Sequence, residues 1–161
     1  MMEIKIATLL DIKTIKDIAI KTWFSTYAPI NSREQNEHMF ETWYSTSGLK
    51  KQMKEGQEFY IVYLNKSAIA FASLSKKSDS VAKLHKLYIL PQFQGKRIGK
   101  ALMEYIEKVS IKKGAVELVL NVNRKNKAVE FYIKCGFHIV REEDIPFDNY
   151  WMNDFVMSKT L

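Results

Sequence analysis

The stretch from Val81 to Lys112 constrains the fold of this chain more than any other. Val81 to Leu90 begins with polar and apolar residues in alternation and ends in an apolar run that stops at Pro91, the pattern of a strand that becomes buried along its length. From Ile98 the residues Ile98, Ala101, Leu102, Tyr105, Ile106 and Val109 keep helical spacing without a gap until Lys112-Lys113-Gly114. A buried strand joined by a short loop to a long amphipathic helix belongs to a layered α/β domain, because the sheet face and the helix stripe must cover each other.

The remaining segments extend that layer. Glu3 to Ala7 alternates with period two and predicts a strand. Thr8 and Asp11 form a capping-box-like start to a helix whose inward stripe is Ile12, Ile15, Ile18, Ala19 and Trp23. Ser32 is placed to cap a second helix carrying His38, Met39, Phe40 and Trp43, and Ser47 a short third one. Phe59 to Leu64 and Ala68 to Leu74 predict two strands joined tightly through Asn65-Lys66. Glu117 to Val122 is a further strand and Lys127 to Lys134 a helix that Gly136 ends with a left-handed turn. Phe137 to Arg141 and Phe155 to Ser158 complete the sheet. With 161 residues, no repeat and no linker, the expectation is one α/β domain over 1–161, a mixed sheet with helices on both faces.

The bulk properties narrow the class. No apolar stretch approaches the ~20 residues of a membrane helix, and the N-terminus lacks the basic and apolar regions of a signal peptide, so a cytoplasmic protein without membrane contact is expected. The single cysteine, Cys135, has no partner for an internal disulfide, which agrees with a reducing compartment. A net charge of +7 favours an anionic partner. No recognition-helix motif or interleaved basic and aromatic stripe accompanies it, so nucleic acid is not expected. No metal is expected either.

One anion has an evident place. At Gln94-Gly95-Lys96-Arg97-Ile98-Gly99 the buried strand turns into the helix, so unpaired backbone N–H groups and the positive end of the helix dipole converge. Lys96, Arg97 and Lys100 add like charges that are unfavourable at an empty helix start and that an anion would relieve. The loop has neither the Gly-Lys-Ser or Gly-Lys-Thr of a P-loop nor a three-glycine dinucleotide fingerprint.

This loop resembles the signature of the GNAT superfamily of N-acetyltransferases: Gln or Arg, two residues, Gly, one residue, then Gly or Ala. Gln94, Arg97 and Gly99 hold those positions, with Arg97 where the family usually has glycine. The Ala7-Thr8 to Asp11 opening, the Lys127-Ala128 to Phe131-Tyr132 segment and the Gly136-Phe137 ending carry the resemblance across nearly the whole chain. It implies a mostly antiparallel sheet with a splayed central strand pair, acetyl-CoA as cosubstrate, and often a homodimer. Backbone groups of Leu87, Tyr88 and Ile89 would hold the pantetheine arm and the acetyl carbonyl. Those of Gly95, Lys96, Arg97, Ile98, Gly99 and Lys100 would cradle the pyrophosphate, and Asn126 would meet the cofactor at the next helix. Tyr132 matches the tyrosine beside the thioester sulfur.

The implied reaction is direct attack of a neutral primary amine on the thioester, with Tyr132 giving a proton to the leaving thiolate and the Ile89 N–H stabilising the oxyanion. His85 shares a face with Leu87 and Ile89 by the period-two rule and, at an unperturbed pKa of about 6.5, is a candidate base. It is also placed where the serotonin enzyme of this family has histidine. The run Trp23-Phe24-Ser25-Thr26-Tyr27 resembles bacterial polyamine acetyltransferases of the spermidine and spermine type, which makes Trp23 and Tyr27 candidates to hold a cationic amine as well as core residues. Glu34, Glu37 and Glu41 share helical spacing, as an acidic wall or a solvated face, and Asp144 to Tyr150 is placed to close over the same pocket. From another function class, an acyl-CoA sensor without turnover remains open on account of Arg97.

Overall fold

A computed structural model describes residues Met1–Leu161. The elements are β1 (Met2–Ile6), α1 (Ile12–Tyr27), α2 (Arg33–Tyr44), α3 (Thr46–Lys54), β2 (Glu58–Leu64), β3 (Ser67–Lys76), β4 (Val81–Ile89), α4 (Ile98–Lys112), β5 (Glu117–Asn123), α5 (Ala128–Lys134), β6 (His138–Phe147) and β7 (Tyr150–Thr160). Single 3₁₀ turns at Leu9–Asp11 and Pro91–Phe93 precede α1 and follow β4. The seven strands form one sheet in the order β1-β2-β3-β4-β5-β7-β6, antiparallel except for the β4–β5 pair. This is the mixed, mostly antiparallel architecture expected.

Local chemistry explains most boundaries. The Thr8 hydroxyl accepts from the Leu10 N–H at 3.2 Å while the Asp11 carboxylate accepts from the Thr8 N–H at 2.8 Å, a reciprocal cap. Ser32 accepts from the Gln35 N–H at 3.1 Å and starts α2. Asn65 and Lys66 both have positive φ, 49° and 69°, as a two-residue hairpin turn requires. Gly136, at φ 98°, ends α5.

Two expectations need correction. Ser45, not Ser47, caps α3: its backbone is extended and its hydroxyl accepts from the Gly48 N–H at 3.1 Å, so the helix begins two residues earlier than the sequence suggested. The last two strands are much longer than Phe137–Arg141 and Phe155–Ser158. β6 is an edge strand whose residues Arg141 to Asp144 carry no apolar face, so its pairing with β7 rests on backbone bonds that hydrophobic alternation does not report.

Two irregularities in β4 shape the centre of the molecule. β4 and β5 pair only from Val81↔Glu117 to Leu84↔Leu120, although β4 continues to Ile89 and β5 to Asn123, so the strands splay beyond that point. On its other side, β4 pairs with β3 at Ser73↔Lys86 and then at Leu74↔Leu84, which leaves His85 without a partner. This bulge resets the alternation. Lys86 and Tyr88 lie on the same face as Ser73 and Phe71, whereas Leu87 and Ile89 lie with Ala72 and Ala70. The expectation that His85 shares a face with Leu87 and Ile89 therefore fails.

Candidate active site

The splay opens a groove of about 1000 Å³ between β4, β5, α5 and the loop before α4. Adjoining it, a cleft of about 540 Å³ lies between α1, α2, α3 and the tip of the β6–β7 hairpin. The two meet at Tyr27, His85, Lys86, Tyr88, Asn121 and Val122. A molecule in the groove and one in the cleft would touch at that junction.

Backbone polarity in the groove follows from the register. The Leu90 N–H donates to the Ile69 carbonyl at 2.9 Å, which marks a hydrogen-bonded pair. Stepping back by two along β4 makes Tyr88 and Lys86 the other residues bonded to β3, so the N–H and C=O groups of Leu87 and Ile89 point into the gap beside β5. Of the three strand residues singled out, Leu87 and Ile89 thus offer backbone groups, whereas Tyr88 contributes its side chain. The Gln94 amide donates to the Ile89 carbonyl at 3.1 Å and pins the loop to the strand end.

The loop itself presents a set of unpaired donors. None of the N–H groups from Gly95 to Lys100 has a backbone or side-chain acceptor, the cap position has no side-chain bond, and no acidic residue occupies the first turn of α4. Arg97 adopts a left-handed conformation, φ 63° and ψ 12°, as does Gly95 at φ 76°. That explains why glycine suits position 97 and what arginine does there instead: it makes the same turn at a backbone cost of about 1 kcal/mol. Gly95, Arg97, Gly99 and Lys100 line the groove, Ile98 is buried in the core, and Lys96 turns back over the Phe93 ring at 5.6 Å. A pyrophosphate fits this donor set.

Asn126 accepts from the Ala128 N–H at 2.9 Å and so holds the start of α5 beside the groove. Tyr132 follows on α5, packed edge-on to Phe131 and Phe137. Burial raises its phenol pKa, so it stays protonated. Its hydroxyl has no protein partner, and no fully buried side-chain nitrogen or oxygen in the molecule lacks one, so that hydroxyl opens into the groove. Tyr27 and Tyr88 meet hydroxyl to hydroxyl at 3.4 Å across the junction. Trp23 is 2% exposed and ringed by Phe24, Tyr27, Phe40 and Tyr44; it backs the cleft wall as a core residue.

The acidic wall is absent. Glu34, Glu37 and Glu41 fall on the exposed face of α2, and Glu37 pairs with Arg33 at 2.9 Å. The hairpin tip does reach the cleft, where Phe147 packs on Trp43 with ring centroids 4.9 Å apart and Asp148 pairs with His38 at 2.6 Å. Sequence reasoning missed Asp154, Asn121 and Lys86. Asp154 lies in the cleft with its carboxyl pKa raised by burial, and Asn121 lines the same cleft. Lys86 directly follows His85 and so breaks the polar and apolar alternation of β4, and that was the signal available.

Three comparisons bear on this geometry. Residues 27–161 match the family model described as an acetyltransferase (GNAT) domain. The chain belongs to the GNAT acetyltransferases. It is 31% identical, over 98% of its length and 96% of the relative's, to a protein of Thermoplasma acidophilum named spermidine N(1)-acetyltransferase. The crystal structure of PaiA N-acetyltransferase from Thermoplasma acidophilum in complex with coenzyme A superposes with a TM-score of 0.84 at 30% identity, covering 100% of this chain and 99% of that one. The ribosomal-protein-S18-alanine N-acetyltransferase of Escherichia coli, at 19% identity and a TM-score of 0.76 over 99% of this chain and 94% of that one, shares the fold. This GNAT protein is thus an N-acetyltransferase, of a family whose cosubstrate is acetyl-CoA. No helix in it is long and apolar enough to cross a membrane.

Two outcomes follow at this site. Arg97→Gly should keep acetyl-CoA affinity within about tenfold, roughly 1.4 kcal/mol, because the receptor is made of backbone N–H groups; a calorimetric titration decides, and a larger loss makes the guanidinium a phosphate ligand. His85 donates to or accepts from the Ser75 hydroxyl through Nε2 at 2.6 Å, and burial, reinforced by Lys86 and Lys83, lowers its pKa to about 3. The unfolded chain, with histidine near ~6.5, takes up that proton first, so stability is full above ~6.5 and falls as pH drops toward 3. His85→Gln should flatten the loss between pH ~6.5 and ~4 in urea titrations. An unchanged slope would mean that His85 titrates alike folded and unfolded.

Proposed function

We propose that this enzyme transfers the acetyl group of acetyl-CoA to a primary amine that enters from the cleft and reacts at its junction with the groove. The observation that carries the reading is the splay itself: one face of the junction opens to the groove and its N–H groups, the other to a separate cleft. The thioester, when bound, supplies an acyl group activated for attack by nitrogen. The N–H groups of Gly95 to Lys100 hold the pyrophosphate, Leu87 and Asn126 position the arm, and the Ile89 N–H faces the developing oxygen charge. Tyr132 supplies the proton at the sulfur side.

His85 is too weak a base for the amine when its pKa lies near 3 and its ring nitrogen is engaged by Ser75. Asp154 is the better candidate. It is a carboxylate with a raised pKa in the cleft, beside Asn121 at the junction, and it attracts an ammonium before accepting its proton. We keep Tyr27 as an aromatic contact of the amine. Trp23 supports it from behind.

The polyamine acceptor expected from the sequence draws support from the name of the Thermoplasma relative and from the aromatic walls Tyr27, Trp43 and Phe147. The charge inside the cleft favours another amine. A homodimer through an edge strand, β1 or the β6 edge that exposes Ile139 and Val140, and a cytoplasmic location belong to the same reading. Thiol release from acetyl-CoA, measured across polyamines, amino-terminal peptides, aminoglycosides and amino acids, tests it. Cofactor binding without thiol release on any acceptor would replace the enzyme reading with that of an acyl-CoA sensor.

A further inference from the structure

The cleft holds more cations than anions. Its lining includes Lys51, Lys83 and Lys86 against Glu55 and Asp154. Lys51 pairs with Glu55 at 3.9 Å, while Lys83 makes no ion-pair contact and lies only in the wider field of Asp154 and Glu143. Lys86 has no carboxylate partner. Its ammonium donates to the side-chain carbonyls of Gln52 and Gln57, the latter at 3.1 Å, and lies over the rings of Tyr44 and Phe59 at 5.9 and 5.6 Å.

These neighbours are built to hold the ammonium in place. The Gln52 amide donates to the carbonyls of Trp43 and Gly48, which fixes its oxygen toward Lys86, and the Ser73 hydroxyl donates to the Gln57 oxygen from below. An ammonium has three donors, and two are taken by the glutamines. Burial, with Lys83 nearby, lowers its pKa to about 7. A cation so desolvated gains most from an anion that shares the pocket.

We propose that the acceptor is an amine that also carries an acidic group, a carboxylate in the first instance, seated on Lys86 while the amine lies toward Asp154, the two side chains lining one cleft. The inference rests on the acetyl-transfer reading for the orientation of the amine, and on the charges in the cleft for the acid. A diamine or polyamine would instead bring its second ammonium toward Lys86, where no carboxylate is in contact to receive it.

The test compares straight-chain ω-amino acids, diamines of the same chain length and the corresponding monoamines, by thiol release and by calorimetric binding to the protein saturated with coenzyme A. Expected is a kcat/KM at least about tenfold higher for the best amino acid than for its diamine. Lys86→Met should lower the preference for the amino acid over the monoamine at least tenfold, chiefly through KM, and Lys86→Glu should turn it toward the diamine. Circular dichroism and coenzyme A affinity establish that each variant is folded. If no amine is turned over but amino-acid binding is lost in Lys86→Met, the enzyme reading fails and the acidic-group site stands. A wild type that favours the diamine, or binds no amino acid, overturns the site, as does a preference unchanged in both folded variants.

Discussion

Tyr132→Phe should lower kcat by about 10²- to 10³-fold while leaving acetyl-CoA affinity within roughly threefold, as the loss of a proton donor does when its aromatic ring remains. The ring is held by Phe131 and Phe137, at 5.4 and 5.9 Å between centroids, and phenylalanine keeps both contacts. The hydroxyl that is removed has no protein partner, so its loss leaves no buried group unsatisfied and the fold should change by less than about 1 kcal/mol. Because burial keeps the phenol protonated, the residue can give a proton and is a poor base. Single-turnover thiol release together with calorimetry separates the outcomes. An unchanged kcat would take Tyr132 out of the chemistry. Parallel losses in rate and affinity would make it a wall of the groove.

How much of this was legible in the sequence depends on whether a feature is local. The α4 stripe, the caps at Thr8 and Ser32, the Asn65-Lys66 turn and the strand-to-helix loop at Gln94 to Gly99 are set by residues within a few positions of one another, and all stand where the sequence placed them. The bulge at His85 is different. It arises from the register between β3 and β4, which no property of β4 alone reports, and it moved His85 off the face that alternation assigned to it. Lys86 and Asp154 were missed for a related reason. Each is a charged residue on a strand, and only the sheet order brings β4 and β7 to opposite walls of one cleft, on either side of β5. Glu34, Glu37 and Glu41 are a different case: their spacing correctly put them on one helix face, and of the two readings left open, acidic wall or solvated face, the solvated one holds.

Gly99→Val should cost both stability and cofactor affinity. A Cβ at this position would stand 3.0 Å from the Ile89 Cδ1 and 3.1 to 3.2 Å from two atoms of the Phe131 ring. The first carbon alone requires the neighbours to yield, and valine adds two more methyl groups to a helix turn wedged between β4 and α5. Overpacking of this kind costs about 1–3 kcal/mol, which for a domain of this size lowers Tm by roughly 2–10 °C. The helix end that must move carries the unpaired N–H groups of Gly95 to Lys100, and the strand residue that it pushes is the one whose N–H faces the gap. Acetyl-CoA affinity should therefore fall by more than about tenfold, roughly 1.4 kcal/mol. Arg97→Gly alters the same turn without adding an atom to this contact, so it controls for loop flexibility. If Gly99→Val lowers Tm as expected yet binds acetyl-CoA as tightly as the parent, the pyrophosphate is not held by the start of α4.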